Sequence, residues 1–267
     1  MITFLSDYGS RDEYVGVCHG VIERIAPGTL VIDVTHGIPP CDVRAGALAL
    51  RRALPYLPSG AVHLAVVDPG VGTQRRPLAI RCADGAKFVG PDNGLLWLAC
   101  ADSGGVESAV DLSVSTYALD RVSNTFQGRD LFAPVAARLA LDAAVEDAGQ
   151  PIDPGLLTKL ELSAAAVRSG QLHTQVLTVD SFGNLQLDAT PDQLEQIGLA
   201  AEPRIGIAIG GNRRAAAHGR TFADVAQGEP VVYVDSTGAV AIAINGGSAA
   251  SILGAAAGAA IVLGRWD

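Results

Sequence analysis

The sequence predicts an α/β protein: an N-terminal α/β domain with a largely parallel central sheet, then a smaller C-terminal antiparallel β domain. Three observations predict it. The first half alternates short β-rich runs with helically spaced segments of roughly 10 to 15 residues, as βαβ units do. From about Gln171 the texture changes to short strands at close spacing, parted by turn signals such as FGN, GGN and STG. Between the two textures, QPIDPGLLTKLELSAAAVRSG holds two prolines and no stable period. We therefore expect a domain over residues 1–153, a linker over 154–169 and a second domain over 170–267 of this 267-residue chain.

The elements follow in chain order. ITFLSD is a short strand that ends in a carboxylate, and YVGVCHGVIERIAP has helical spacing and stops at Pro27. TLVIDVTH is again a strand, DVRAGALALRRALPYL a helix, and AVHLAVVDPG a buried strand running into a turn. Asp7, His36 and Asp68 each fall at the C-terminal end of a strand, the edge where ligands bind in open α/β sheets. DLFAPVAARLALDAAVEDAG is read as one helix. In the second half QVLTVDSF, NLQLDAT, RIGIAIGG, PVVYVDSTG, AVAIAING and AAIVLGR read as strands of a sandwich or barrel.

Composition narrows the ligand. A formal net charge of -9 offers no basic patch to neutralise phosphates, which disfavours nonspecific binding to nucleic acid or to an anionic membrane. A polar small molecule is expected instead. Cys18, Cys41, Cys82 and Cys100 show no CxxC spacing, so reduced thiols in a cytoplasmic protein are expected. MITFLSDYGS lacks the basic start of a signal peptide. The uncharged run 246–264 nearly reaches membrane-spanning length, but it is mostly Ala, Gly and Ser and is divided at Gly258. It is expected to form a short helix and a strand.

Three clusters have more polar specificity than scaffold needs. In SDYGSRDEY, Asp7 could accept from both hydroxyls of a ribose, or Asp7, Ser10 or Asp12 could cap the helix that follows. In VVDPGVGTQRR, Asp68 leaves a strand, Gly72 lets backbone approach a ligand, and Arg75 and Arg76 follow; the alternative is a turn with a solvated salt bridge. GPDNG has a similar character, with Asp92 and Asn93 as turn formers or ligand contacts. In SNTFQGRD, Phe126 could stack on a planar ring and Arg129 and Asp130 would pair at the head of the next helix. Gln127 is the odd member, because an amide neither takes nor gives a proton at ordinary pH.

Other chemistry is absent at motif level. The five histidines show no HxH or HExxH spacing, so no metal site is expected; His36 alone has a claim to function, the others to packing or surface roles. No GxSxG elbow or recognisable cysteine nucleophile occurs.

FLSDYG, VIDVTHGI, VVDPGVGTQRR, FVGPDNGLL, TFQGRDLFAP, VDSFGNLQL and the late ING together resemble the S-adenosylmethionine hydroxide adenosyltransferases, relatives of the S-adenosylmethionine-dependent fluorinase and chlorinase. The resemblance runs from residue 2 to about residue 250. It implies hydrolysis of S-adenosylmethionine (SAM) at ribose C5′ to adenosine and L-methionine, with no cofactor. It also implies a homotrimer with sites between the N-terminal domain of one subunit and the C-terminal domain of the next. A family trio of Asp, Arg and His that positions and activates water falls on Asp68, Arg75 and Gln127. Asp7 takes the place of a ribose-diol ligand. Asp180, Phe182 and Asn184 match positions around the amino-acid part and the adenine, and Ser236 a contact to the methionine moiety. Asn245 and the glycines after it match backbone lining the adenine pocket. Cys41 stands where the fluorinase has tryptophan, so stacking there is not expected.

Two other functions stay open at this level. A halogenase would share the fold, but Asp68 would repel halide, and the chain is short where halogenating relatives carry an insertion. A catalytically weak SAM- or adenosine-binding protein is the second, suggested by Gln127 in the histidine position.

Overall fold

The protein, described from a computed structural model over residues 1–266, is a mixed α/β fold with two sheets. It divides into two compact units, Met1–Leu160 and Glu161–Asp267.

The first unit holds a seven-stranded sheet. Its strands are β1 (Ile2–Ser6), β2 (Val31–Thr35), β3 (Val62–Val66), β4 (Pro77–Cys82), β5 (Lys87–Pro91), β6 (Val106–Asp111) and β7 (Gln150–Ile152), in the order β2-β1-β3-β5-β4-β6-β7. Pairs β1–β2, β1–β3 and β3–β5 are parallel, but β4–β5, β4–β6 and β6–β7 are antiparallel. The expectation of a largely parallel sheet is thus corrected to a half-parallel one. The cause is local: the Asp84-Gly85 turn, with Gly85 at φ +89°, folds β4 straight back onto β5 instead of sending the chain across through a helix.

Helices α1 (Tyr14–Ile25) and α2 (Val43–Ala53) lie where the spacing predicts them. Asp42 caps α2 by accepting from Ala45 N–H at 2.8 Å. The helix expected over 130–149 is shorter. A π-helical turn over Gly128–Phe132 leads into α3 (Ala133–Ala140), which ends where Asp142 adopts φ +65°. Phe4, Ile22, Phe132 and Val135 are buried together in the core beneath the sheet.

The second unit is a barrel. Its strands are β8 (Ala166–Arg168), β9 (Gln171–Val179), β10 (Leu185–Leu187), β11 (Arg204–Ile209), β12 (Asn212–His218), β13 (Pro230–Val234), β14 (Val240–Ile244) and β15 (Ala260–Arg265). The order β10-β14-β13-β12-β11-β15-β9 closes through a β9–β10 pairing, which removes open edges. One pair, β12–β13, is parallel and departs from the expected antiparallel pattern. The stretch 154–169, expected as a linker, contains a 3-10 turn at Pro154–Leu156 and strand β8, which pairs with β9. The run 246–264 forms a short helix, Ala249–Leu253, and β15, as its division at Gly258 predicts. No helix among the described residues is long and apolar enough to cross a membrane.

Candidate active site

Parallel pairing of β2, β1 and β3 sets Asp7, His36 and Asp68 along one edge of the sheet, as the strand-end reading anticipated. Around Asp68 the chain doubles back. Arg75 Nε donates to Asp68 Oδ1 at 2.9 Å and to Oδ2 at 3.0 Å, and Arg75 Nη2 donates to Oδ2 as well. The side chains are only 10% and 6% exposed, so this is a buried ion pair and not the solvated bridge weighed from the sequence. Arg75 Nη2 also donates to Gln127 Oε1 at 2.6 Å. Carboxylate, guanidinium and amide therefore form one connected trio, with Phe132 beneath the guanidinium at 5.3 Å.

Two glycines make the trio sterically feasible. Gly72 has φ +76°, and a Cβ there would sit 2.7 Å from Asn124 O. The close approach expected for a ligand is in fact made by the SNTFQG backbone, locking the Arg75 loop against the Gln127 loop. At Gly128 a Cβ would lie 2.0 Å from Tyr8 Oη. Gln127 holds the N-cap position of the π-helical turn that follows, without a side-chain cap bond; such turns are frequent at functional sites.

Tyr8 was not singled out by sequence, although it adjoins Asp7. Burial first, then the neighbouring Cys18, Asp7 and Asp68, raise its hydroxyl far above the usual phenol range, so it stays neutral beside the trio. Its ring meets Phe126 edge-on at 5.7 Å. Phe126 also meets Tyr14 at 5.1 Å and carries the Arg129 guanidinium over its face at 4.9 Å. The ring face expected to be free for stacking is occupied by Arg129. Arg129 pairs with Asp130 at 2.6 Å, as the sequence suggested.

Asp7 is not a helix cap. The N-cap of α1 is Glu13, without a side-chain bond, and Asp7 Oδ2 instead accepts from Cys41 N–H at 2.8 Å. Cys41 holds φ +66° at that contact. Arg76 turns away from Arg75 to Asp92, whose other oxygen accepts from Thr158 N–H at 2.8 Å. Asn93 donates to Val67 O at 2.8 Å, so the PDNG residues hold the first unit together. A cavity of about 410 Å³, lined in part by Thr73, Arg75, Ser113, Asp120 and Gln127, opens on the trio.

In the second unit, Asp180 Oδ1 accepts from Phe182 N–H and Asn184 N–H, both at 2.9 Å, and Oδ2 from Asn184 Nδ2 at 2.7 Å. This tight turn leaves Phe182 78% exposed. Ala250 N–H donates to Gly183 O at 2.9 Å, which ties the turn to the loop after Asn245. Asn245 Nδ2 donates to Val225 O at 2.8 Å. Ser236 is exposed in the turn that Asp235 organises through Thr237 N–H at 2.8 Å.

The chain thus joins in sequence a mixed α/β unit, with a buried carboxylate, guanidinium and amide at a strand edge, to a β-barrel with an exposed aromatic turn. The chain belongs to the SAM hydroxide adenosyltransferase family: its N-terminal domain matches residues 2–149 and its C-terminal domain residues 174–262. It is 51% identical to the (R)-S-adenosyl-L-methionine hydrolase of Salinispora tropica over 96% of this chain and 95% of that one. The hydrolase of the same name from Thermus thermophilus is 39% identical, with 95% of each chain covered. A solved structure of an uncharacterized conserved protein from Thermotoga maritima superposes with a TM-score of 0.92 at 34% identity, covering 99% of this chain and 100% of that one. Proteins named fluorinase are more distant, with that of Actinoplanes sp. 27% identical over 92% of this chain and 91% of its own.

Proposed function

We propose that this protein hydrolyses S-adenosyl-L-methionine: a water oxygen bonds to ribose C5′, the C5′–S bond breaks with its electrons going to sulfur, and adenosine, L-methionine and one proton result. The observation that carries this reading is the single hydrogen-bonded trio Asp68–Arg75–Gln127 in a chain of this family. A sulfonium leaves as a neutral thioether, so neither acid nor cofactor is needed to expel it. Alignment of the nucleophile is what remains to be supplied, and it can contribute several kcal/mol, about 7 at well-oriented sites.

Each member of the trio has a physical task. Asp68 is the one group of the three able to accept the water proton near neutral pH. Its pairing with Arg75 fixes its direction. Gln127 points its oxygen to Arg75, which leaves its amide N–H groups as donors that can orient water. Asp7 holds the ribose diol, and Asp180, Phe182, Asn184, Ser236 and the backbone after Asn245 receive the adenine and methionine parts. Phe126 acts through Tyr8 and Arg129 packing around the trio. We further propose a homotrimer, with each site completed by the second unit of a neighbouring subunit, working in the cytoplasm where its four free cysteines stay reduced.

Gln127 favours a second reading, a SAM-binding protein with slow turnover, because it removes the proton-handling group expected there. Halogenation is disfavoured by the Asp68 carboxylate, which opposes a desolvated halide. Incubation with SAM, with and without chloride, separates the three. Adenosine plus methionine supports hydrolysis, 5′-chloro-5′-deoxyadenosine marks a halogenase, and tight binding without product marks the second reading.

A further inference from the structure

His19 on α1, Asp33 on β2 and His36 just beyond β2 converge on one point at the surface of the first unit. His19 Nε2 lies 2.9 Å from Asp33 Oδ1, His36 Nε2 lies 3.0 Å from the same oxygen, and one ligand atom from each residue falls within 4.8 Å of the others. The sequence did not suggest this, because the residues sit on separate elements with none of the short metal-binding spacings. None of the three belongs to the Asp68–Arg75–Gln127 trio.

The state of His36 is informative. Its Nδ1 is 2.7 Å from Ser6 Oγ, and Ser6 Oγ also accepts from Tyr8 N–H at 3.2 Å. In the tautomer that donates from Nδ1 to Ser6 Oγ, a lone pair is left on Nε2. That atom is buried and has no hydrogen-bond partner, even though Asp33 Oδ1 is within 3.0 Å. A lone pair facing a carboxylate is repulsive unless a cation lies between them. A neutral imidazole fixed through its far nitrogen is also how proteins orient metal-binding histidines.

We propose that His19, Asp33 and His36 bind one borderline divalent cation, with Zn²⁺ as the reference ion. Two imidazoles and one carboxylate suit such an ion, with water completing a tetrahedron. Bonds of about 2.1 Å place neighbouring ligand atoms about 3.4 Å apart. The two approaches to Asp33 need little adjustment, and His19, with 35% of its side chain exposed, can swing to close the set. A surface depression of about 360 Å³ beside His19 gives the ion a route in. The site would fasten α1 to the end of β2 and to the loop that follows, where His36 O accepts from Gly9 N–H at 2.8 Å.

The test is calorimetric titration of the full chain with Zn²⁺, in a Cys41→Ser background to remove the exposed thiol, followed by Co²⁺ absorption spectroscopy. The expected result is one ion per chain, a higher Tm when it is bound, and a nitrogen/oxygen Co²⁺ spectrum. Affinity should fall at least tenfold in His19→Ala and in Asp33→Asn, and about 10- to 100-fold in Ser6→Ala, which leaves every ligand in place. No binding at 100 μM Zn²⁺, or binding that His19→Ala leaves unchanged, would overturn the proposal and leave a hydrogen-bonded His–Asp–His cluster.

Discussion

Arg75 donates to Gln127 Oε1 at 2.6 Å while it grips Asp68, so an uncharged side chain completes the polar trio at the strand edge. Proton transfer by a positioned side chain is typically worth ~10²- to 10⁴-fold. Gln127→His is therefore expected to raise kcat by a factor in that range and to add an inflection near pH ~6.5. Gln127→Leu, which removes the acceptor for Arg75, should lower it. Steady-state kinetics against pH decide; an unchanged kcat in Gln127→His would place the proton transfer wholly on Asp68.

Asp68→Asn keeps the shape but leaves Arg75 buried without its counter-ion. Breaking a buried pair from one side costs about 3 kcal/mol or more, so urea denaturation should show a loss of that size. Turnover should fall by at least ~100-fold, because the trio's one proton acceptor is gone. Arg75→Lys should retain more stability than turnover, since an ammonium lacks the planar fork that reaches Asp68 and Gln127 together.

Gly72→Ala tests the locking of the two loops. Its Cβ would fall 2.7 Å from Asn124 O at φ +76°, and strain of this kind costs on the order of 1–3 kcal/mol. Both Tm and kcat should drop. Gly85→Ala is the control: φ is +89° but nothing lies within 4 Å, so Tm should fall while kcat holds.

His63 is 3% exposed, with Nδ1 2.9 Å from Thr3 Oγ1 and its ring 4.8 Å from Phe88. Burial lowers its pKa to about 4, from 6.5. Between those values the unfolded chain binds the proton and the folded one does not. The contribution of His63 is thus complete above pH ~6.5 and is lost as pH falls toward ~4, on the order of 2–3 kcal/mol. Thermal melts across that window should show the decline, and His63→Gln should flatten it.

Much of the first unit was legible because strands and helices repeat with different periods, and the strand ends named Asp7, His36 and Asp68 directly. Pairing direction was not, since whether β4 runs with or against β5 depends on a turn and not on the strand's own residues. Strand β12, NRRAAAH, escaped notice because charges and alanines carry no β signature. The trio members were named through family resemblance; their mutual contacts arise only when loops 75 and 127 are folded together. Gly72 shows the limit of residue reading: its permissive backbone was apparent, but the partner it admits is Asn124 and not a ligand. Tyr8 was missed because its role depends on what packs over Gly128, far along the chain.

The central claim is attack by water at C5′. Turnover of SAM in H₂¹⁸O, followed by mass spectrometry of both products, tests it most directly. The account predicts one ¹⁸O in the 5′-hydroxyl of adenosine and none in methionine. Adenosine free of label, or a nucleoside product other than adenosine, would contradict it.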